Sequence, residues 1–445
     1  MAMTLEKLQQ LMKVNGVVGA GGAGFPSYAK LDKRADTIIL NCAECEPLLK
    51  LHRQVLTEYA YEIMSTLDLI ADLVDAKSVI IAVKPAYSEA VNAVKAHLES
   101  FKRISIGYLP EIYPAGDEVV TIYETTKRVV EPGKLPITVG VTVFNVETIY
   151  NVYRAINENE PVTFKYITVA GEVKKPVTVK VPIGTSIKEV IKMAGGATVQ
   201  DYMLINGGPM TGGLVEEFET VTKTTNGILV MPKDHYIINK RRASIKTDMK
   251  RAMSACCQCK MCTDMCSRNL LGHPIKPHEF MRVATSGVTR DIEPFVNTMF
   301  CSACGLCEMY ACNQGLSPRT LISVYKNGLK QNGVKIPDDI SFKEVSKQRE
   351  FRKVPMHRLI ARLGLTQYDK PAPLDNELRS VKTVKIALSQ HIGAPCKAVV
   401  KKGDKVEYGQ VIGESSADKL GVNIHASISG TVLEVSDRFV TIKGE

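Results

Sequence analysis

Eight of the twelve cysteines fall into two runs, Cys256-x2-Cys259-x2-Cys262-x3-Cys266 and Cys301-x2-Cys304-x2-Cys307-x4-Cys312. Three thiolates at i, i+3 and i+6 wrap one cubane iron–sulfur cluster, and the fourth cysteine of such a run often serves the neighbouring cluster. Two runs therefore predict two [4Fe-4S] clusters held close together, and chemistry that moves electrons one at a time. Structural zinc favours two Cys-x2-Cys pairs a dozen or more residues apart, and three cysteines at a stride of three crowd a tetrahedral site. A disulfide framework suits small secreted domains, not a 445-residue chain without an export signal. Crossed ligation would group Cys256, Cys259 and Cys262 with Cys312, and Cys301, Cys304 and Cys307 with Cys266. The spacing alone does not say which fourth cysteine serves which cluster. Ser267 and Asn313 stand where such runs usually carry proline, and Cys257 reads as a bystander. His273 and His278 read as ordinary loop or supporting histidines.

A second constellation is Gly19-Ala20-Gly21-Gly22-Ala23-Gly24-Phe25-Pro26. It matches G-x-G-x-x-G, yet it follows a helix rather than a strand, so it is not a standard dinucleotide loop. Its glycines let backbone N–H groups come close to a phosphate; a flexible connection explains glycine density equally well. Asn41-Cys42-Ala43-Glu44-Cys45-Glu46-Pro47 follows an apolar strand. Ligands of open α/β sheets sit at the carboxyl ends of strands, which is where Asn41, Glu44 and Glu46 fall. Cys42 and Cys45 lack a second pair nearby and read as free thiols.

The elements that must position these residues follow from pattern. A chain of 445 residues predicts roughly two to four domains, and its 45% hydrophobic and 23% charged content is that of globular proteins. No run approaches the ~20 apolar residues of a membrane span, and the reading is a soluble, intracellular protein. The net charge of +10 is spread along the chain without a basic block interleaved with aromatics, which argues against nucleic acid. The first sixteen residues read as an amphipathic helix. Thr37–Leu40, Ser78–Val83 and Ile104–Tyr108 read as buried strands, with helical spacing near Val55–Leu73 and Ser88–Leu98, hence a mostly parallel sheet. Tyr166–Ala170 and Val177–Val181 read as strands and Ser186–Ala194 as a helix closed by Gly195-Gly196. Residues 335–380, charged and proline-containing, read as an extended connection with one helix near Arg358–Leu363. The tail, 381–445, reads as short β stretches with glycine turns.

Several of these stretches resemble one family. The glycine loop with Lys30 resembles the flavin loop of the NADH-oxidising subunit of respiratory complex I and of the C subunit of the Rnf ferredoxin–NAD complex. Asn41 through Pro47, Tyr113-Pro114-Ala115-Gly116-Asp117-Glu118 and Phe144-Asn145-Val146-Glu147-Thr148 resemble that family's next three flavin stretches, in the same order. The unit at 163–215 resembles the β-grasp domain called SLBB, and the tail a barrel-sandwich module of the biotinyl/lipoyl type. Over nearly its whole length the chain is similar to the cobalamin reductases of bacterial propanediol-utilisation microcompartments. Gln390-His391-Ile392-Gly393-Ala394 fits them, as does a barrel-sandwich module placed at the C-terminus; the Rnf subunit carries it at the N-terminus. No lysine stands in His425-Ala426-Ser427-Ile428-Ser429-Gly430 where carrier domains are modified, so the module reads as structural or docking rather than as a swinging arm.

The resemblance implies a multidomain α/β protein: a Rossmann-like FMN/NADH domain at 1–160, SLBB at 161–240, a ferredoxin-like α-helical dicluster domain at 241–335, a linker at 336–380 and an all-β barrel-sandwich hybrid at 381–445. It implies FMN contacts from Gly19, Gly21, Lys30, Asn41, Tyr113, Gly116, Asn145 and Thr148. It places Glu44, Glu46 and Glu118 near the nicotinamide and Phe25 on the NADH adenine. Two positions depart from the family: Phe144 replaces the first of two asparagines, and Lys33 a second stacking aromatic. The implied activity is NADH-dependent reduction of cobalamin, from cob(III)alamin to cob(II)alamin and onward to cob(I)alamin, in support of B12 reactivation for diol dehydratase. The implied partners are NADH and a corrinoid, with an adenosyltransferase and microcompartment shell proteins. An Rnf-like electron-input subunit and an iron–sulfur carrier without flavin are the other readings.

Overall fold

The computed structural model describes residues 3–287, 290–337, 340, 342–416 and 418–444. Its first strands are β1 (Thr37–Cys42), β2 (Ser78–Val83), β3 (Ile104–Tyr108), the two-residue β4 (Ile112–Tyr113) and β5 (Val141–Asn145). β4 stands apart, and the other four form a parallel sheet in the order β3-β2-β1-β5. Along β1, Ile38 and Leu40 face one apolar cluster and Ile39 the other, the alternation of a strand covered on both faces. Helices α1 (Leu5–Val14), α2 (Leu51–Glu58), α3 (Ala60–Val74) and α4 (Ser88–Lys95) pack on one side, and α5 (Glu118–Thr126) on the other. The helical stretch expected near Val55–Leu73 is two helices, broken at Tyr59 (φ −124°, ψ 37°). β5 leads directly into α6 (Val146–Asn157), whose N-cap is Asn145.

β1 joins β2 on one side and β5 on the other, so the strand order reverses between β1 and β5. Such a switch point leaves a crevice at the carboxyl ends of the two strands. Asn41 and Asn145 are register partners there, one residue beyond Leu40 and Phe144.

The next unit contains β6 (Phe164–Gly171), β7 (Val177–Pro182), α7 (Ile187–Met193), β8 (Tyr202–Asn206), β9 (Gly213–Val215) and β10 (Gly227–Pro232). Ser186 caps α7 by accepting from the Glu189 N–H at 3.3 Å. The segment expected to be an extended connection is stitched down at two places. β11 (Val354–Pro355) pairs with β4, setting Val354 opposite Tyr113. β12 (Leu374–Leu378) adds a parallel edge strand to β7, completing a sheet ordered β12-β7-β6-β10-β8-β9. The helix expected near Arg358–Leu363 spans Met356–Arg362.

The cysteine region is built from short helices, several of four residues, flanked by Ile245–Ala255, Pro277–Ser286 and Pro318–Gln331. The tail folds as a four-stranded and a three-stranded sheet. Its Val384, Ile386, Val440 and Ile442 belong to the same apolar cluster as Leu8, Met12 and Leu40 of the first domain. The junction also carries a buried ammonium. Lys223 Nζ donates to the carbonyls of Gly16 (2.7 Å) and Asn423 (3.0 Å), and the Lys223 N–H donates to Gln390 Oε1 (2.9 Å). With no carboxylate beside it, burial brings this lysine down to about 7. Gly24, in the left-handed region, leaves no space for a Cβ against Gln390 and His391.

Candidate functional site

The crevice at the ends of β1 and β5 opens into a cavity of about 510 Å³. Gly19, Gly21, Phe25, Lys30, Asn41, Glu44, Glu46, Tyr113, Gly116, Glu118 and Asn145 all line it. Four separate stretches of the sequence thus converge. Thr148 is the exception. It lies buried behind the glycine loop, where its hydroxyl accepts from the Ala20 N–H at 2.9 Å. Its place is to hold the loop, not to face the cavity.

Most lining groups are already oriented by the protein. Asn41 donates from Nδ2 to the Gly116 carbonyl (3.0 Å) and accepts from the Ala43 N–H (3.0 Å). Asn145 accepts from the Glu147 N–H at the start of α6, and its Nδ2 lies 3.0 Å from His52 Nε2. Burial holds His52 down at about 3, so its ring is neutral and can accept. Lys30 Nζ reaches both Glu118 Oε1 (3.1 Å) and the Val143 carbonyl (2.9 Å). Lys33 turns away to pair with Asp75 at 3.5 Å.

The three acidic residues expected beside a nicotinamide differ in what they do. Glu118 is the partner of Lys30. Glu46 is engaged elsewhere: its carboxylate accepts from the Met210 and Thr211 N–H groups (both 2.9 Å) and from the Thr211 hydroxyl. It therefore anchors the Gly207–Gly213 loop of the second unit, where a Cβ at Gly208 would fall on its Oε2. Glu44 is buried. Its Oε1 accepts from the His52 N–H at 2.9 Å, Arg53 stands 3.5 Å from Oε2, and Oε2 has no hydrogen bond among the described residues. Burial pushes this carboxyl up.

The cavity also contains residues that sequence reading missed, Leu49, His52, Thr211, Asn226 and Ser302, together with Cys304, which that reading places with a cluster only. His52 and Leu49 lie just beyond the Asn41–Pro47 stretch, which was the available signal. Thr211 and Asn226 arrive from the second unit, and nothing local marks them. Beneath Asn226 lies a fully buried ion pair, Lys165 with Glu147. Lys165 Nζ donates to Asn226 Oδ1 at 2.7 Å, and the Tyr166 N–H to Glu147 Oε1 at 3.2 Å.

The donor set fits a flavin mononucleotide. The N–H groups of Gly21 and Gly22 have no hydrogen bond among the described residues, and a Cβ at Gly21 would crowd Asn145 Nδ2 at 3.2 Å. An ammonium, two amides and free backbone N–H groups around one crevice suit a phosphate, a polyol and a polar ring edge.

Two smaller cavities belong to the cysteines. One is lined by Cys256, Cys259, Cys262 and Cys312, with Cys257 and His278 at its wall; the other by Cys266, Cys301, Cys304 and Cys307. Each fourth cysteine thus sits with the other run's three. The two loops repeat the same backbone: Gln258 and Ala303 (φ 56° and 58°), and Lys260 and Gly305 (φ 68° and 80°), are left-handed at matching positions. That geometry turns N–H groups inward. The Ala303 N–H donates to Cys301 Sγ and the Leu316 N–H to Cys312 Sγ, both at 3.3 Å. Among the described residues no three His, Cys, Asp or Glu side chains converge as a single metal ion requires; the thiols surround a space instead. Burial pushes Cys262 and Cys266 up to about 12 and Cys304 to about 11, and a bound cation would favour their thiolate forms. His273 lines neither cavity; its Nε2 lies 3.0 Å from the Val130 carbonyl.

The large cavity and the second cysteine cavity share a wall. Ser302 and Cys304 line both. The Tyr113 hydroxyl donates to the Cys304 carbonyl. Arg268, two residues past Cys266, pairs at 2.9 Å with Asp117, the N-cap of α5.

Comparison with known proteins fits this layout. Residues 12–154 match the Nuo51 FMN-binding domain, 166–213 the SLBB domain, 255–317 a 4Fe-4S dicluster domain and 370–445 the RnfC barrel sandwich hybrid domain. The cobalamin reductase PduS of Salmonella typhimurium is 40% identical over 99% of this chain and 97% of its own length. The PduS of Citrobacter freundii is 39% identical over 98% and 96%. The C component of the Na(+)-translocating ferredoxin:NAD(+) oxidoreductase complex of Acetobacterium woodii is 32% identical over 60% of this chain and 59% of its own.

Proposed function

Since the chain belongs to the PduS cobalamin reductase family, we propose that it takes electrons in pairs from NADH and delivers them singly to cobalamin through FMN and two [4Fe-4S] clusters. The observation that carries this reading is the wall shared by the flavin-type cavity and the second cysteine cavity, with the Cys304 loop forming part of both. A flavin, when bound, joins a two-electron donor to one-electron acceptors.

The chain's own residues divide the work. The glycine loop and Lys30 hold the phosphate. Asn41 and Asn145, at the ends of adjacent strands, present amides to the ring edge or ribityl chain, and neutral His52 fixes the second of them. Phe25 at the rim offers a stacking surface for NADH, with Glu44 and Glu118 nearest the reacting face. Tyr113 ties that face to the Cys304 loop. Cys256, Cys259, Cys262 and Cys312 would hold one cluster, and Cys266, Cys301, Cys304 and Cys307 the other. The more exposed first site, beside Cys257 and Cys259, is the exit toward the corrinoid. Family membership supports residence with a propanediol-utilisation microcompartment and exchange with an adenosyltransferase and shell proteins. Among the described residues no helix is long and apolar enough to cross a membrane.

The test is anaerobic NADH-dependent reduction of cob(III)alamin by reconstituted protein. Reduction of cobalamin, with FMN and roughly eight irons per chain, is expected. Rapid reduction of artificial acceptors with none of cobalamin would overturn the proposed acceptor.

A further inference from the structure

Asn226 immediately precedes β10, outside the flavin-type domain, yet its side chain lines the large cavity. Its orientation is unambiguous. Lys165 Nζ, an ammonium that can only donate, sits 2.7 Å from one amide atom, so that atom is the oxygen and the other is the NH2 group. Lys165 is itself fully buried and paired with the equally buried Glu147 on α6. The NH2 group finds no acceptor among the described residues. It points to Gly21, where an added Cβ would meet Asn226 Nδ2 at 3.5 Å and Asn145 Nδ2 at 3.2 Å. Two amide donors, one from each unit, thus converge on one spot of the cavity at the glycine loop. A donor left free at a cavity wall costs little there because water can satisfy it, and it is ready for an acceptor.

We infer that Asn226 is a flavin-binding residue supplied by the SLBB unit, donating from Nδ2 to an acceptor atom of FMN, with the Lys165–Glu147 pair as its positioning support. The inference rests on the proposal that this cavity holds FMN. It adds that the site is closed by two domains and that the second contributes a specific hydrogen bond. The buried ammonium behind the amide polarises it, so the donor is stronger than an isolated asparagine.

The discriminating variant is Asn226→Asp. It keeps an oxygen for Lys165 and turns the donor into an acceptor that carries charge, so the support stays satisfied while the donated bond is lost, and the uncharged Asn226→Ala separates loss of the donor from the added charge. FMN affinity of the full, cluster-loaded chain is read by quenching of FMN fluorescence, with iron content and circular dichroism as checks on the fold. Wild type should bind FMN, and Asn226→Asp should weaken Kd at least tenfold with unchanged iron. Asn226→Ala should weaken it too, and if that variant loses stability, Asn226→Asp still decides. An Asn226→Asp Kd within twofold of wild type overturns the inference while leaving the flavin reading intact. Absence of FMN binding by wild type overturns the flavin reading itself.

Discussion

At the carboxyl ends of β1 and β5 the polar side chains are held by other parts of the protein: Asn41 by Gly116, Asn145 by His52, Lys30 by Glu118 and Val143, Glu46 by the Met210–Thr211 backbone. In the cysteine region the sulfurs accept from a few backbone N–H groups and from Gln258 Nε2, on loops with paired left-handed residues between helices of four residues. The first site is shaped by sheet topology and a packed core, and its polar groups are already paired within the protein. The second brings buried thiols together with nothing among themselves to offset their repulsion as thiolates. A bound cation would supply that offset, so its form is expected to depend on iron. The contrast separates a site that selects its cofactor from one that is completed by it.

Removing the iron is the widest test of that contrast. Chelation should abolish a large part of the thermal unfolding enthalpy and unfold the cysteine region, while the protein still binds FMN; joint loss of both would show one cooperative unit. Within the same test, Cys312→Ala should remove the cluster whose other cysteines belong to the first run, and Cys266→Ala the other, each seen as about half of the roughly eight irons lost. Next in size is Glu147→Gln. It strands the Lys165 charge in the interior and should cost about 3–5 kcal/mol in denaturant unfolding. Lys30→Ala should weaken FMN binding about 10- to 100-fold, the worth of a charge-assisted hydrogen bond, with iron content unchanged. Tyr113→Phe cuts the tie between the two sites and should cost about 1 kcal/mol of stability, measured by chemical denaturation.

The smallest effect at neutral pH is a slope. Lys223 has a folded value of about 7, below that of an unfolded lysine. Between those values the unfolded chain binds more protons than the folded one, so stability should rise with pH there, by less than ~1.4 kcal/mol per unit. Below about 7 the contribution is constant and unfavourable. Lys223→Met should flatten that rise, and equal slopes for the two proteins would show the ammonium is better solvated than its burial suggests.

What the residues disclose in advance follows from range. β1 is legible because a run covered on both faces must be apolar throughout, and Asn41 is legible because polarity returns where the strand leaves the core. The cysteine strides are legible because three ligands of one cluster come from one short loop. The exchange of Cys266 and Cys312 is not, since it depends on how two loops lie against each other. Asn226 and Thr211 are invisible for the same reason. They reach the cavity across an interface held by the Glu46 carboxylate and the Lys165–Glu147 pair, and although Glu46 and Glu147 fall in motif stretches, nothing local says that they engage the second unit. The region 335–380 reads as a mere connection because its strands are two and five residues long and pair only with distant edges.

The barrel-sandwich module meets the glycine loop and the end of the helix that leads into it. The Asn423 N–H donates to the Lys13 carbonyl at 3.2 Å, Lys223 joins Gly16 to Asn423, and Gln390 and His391 press on Gly24. A brace of that kind works by spatial adjacency and is indifferent to the order in which the chain visits its parts. Genetic rearrangement can therefore move the module from one end of the polypeptide to the other and leave the brace in place.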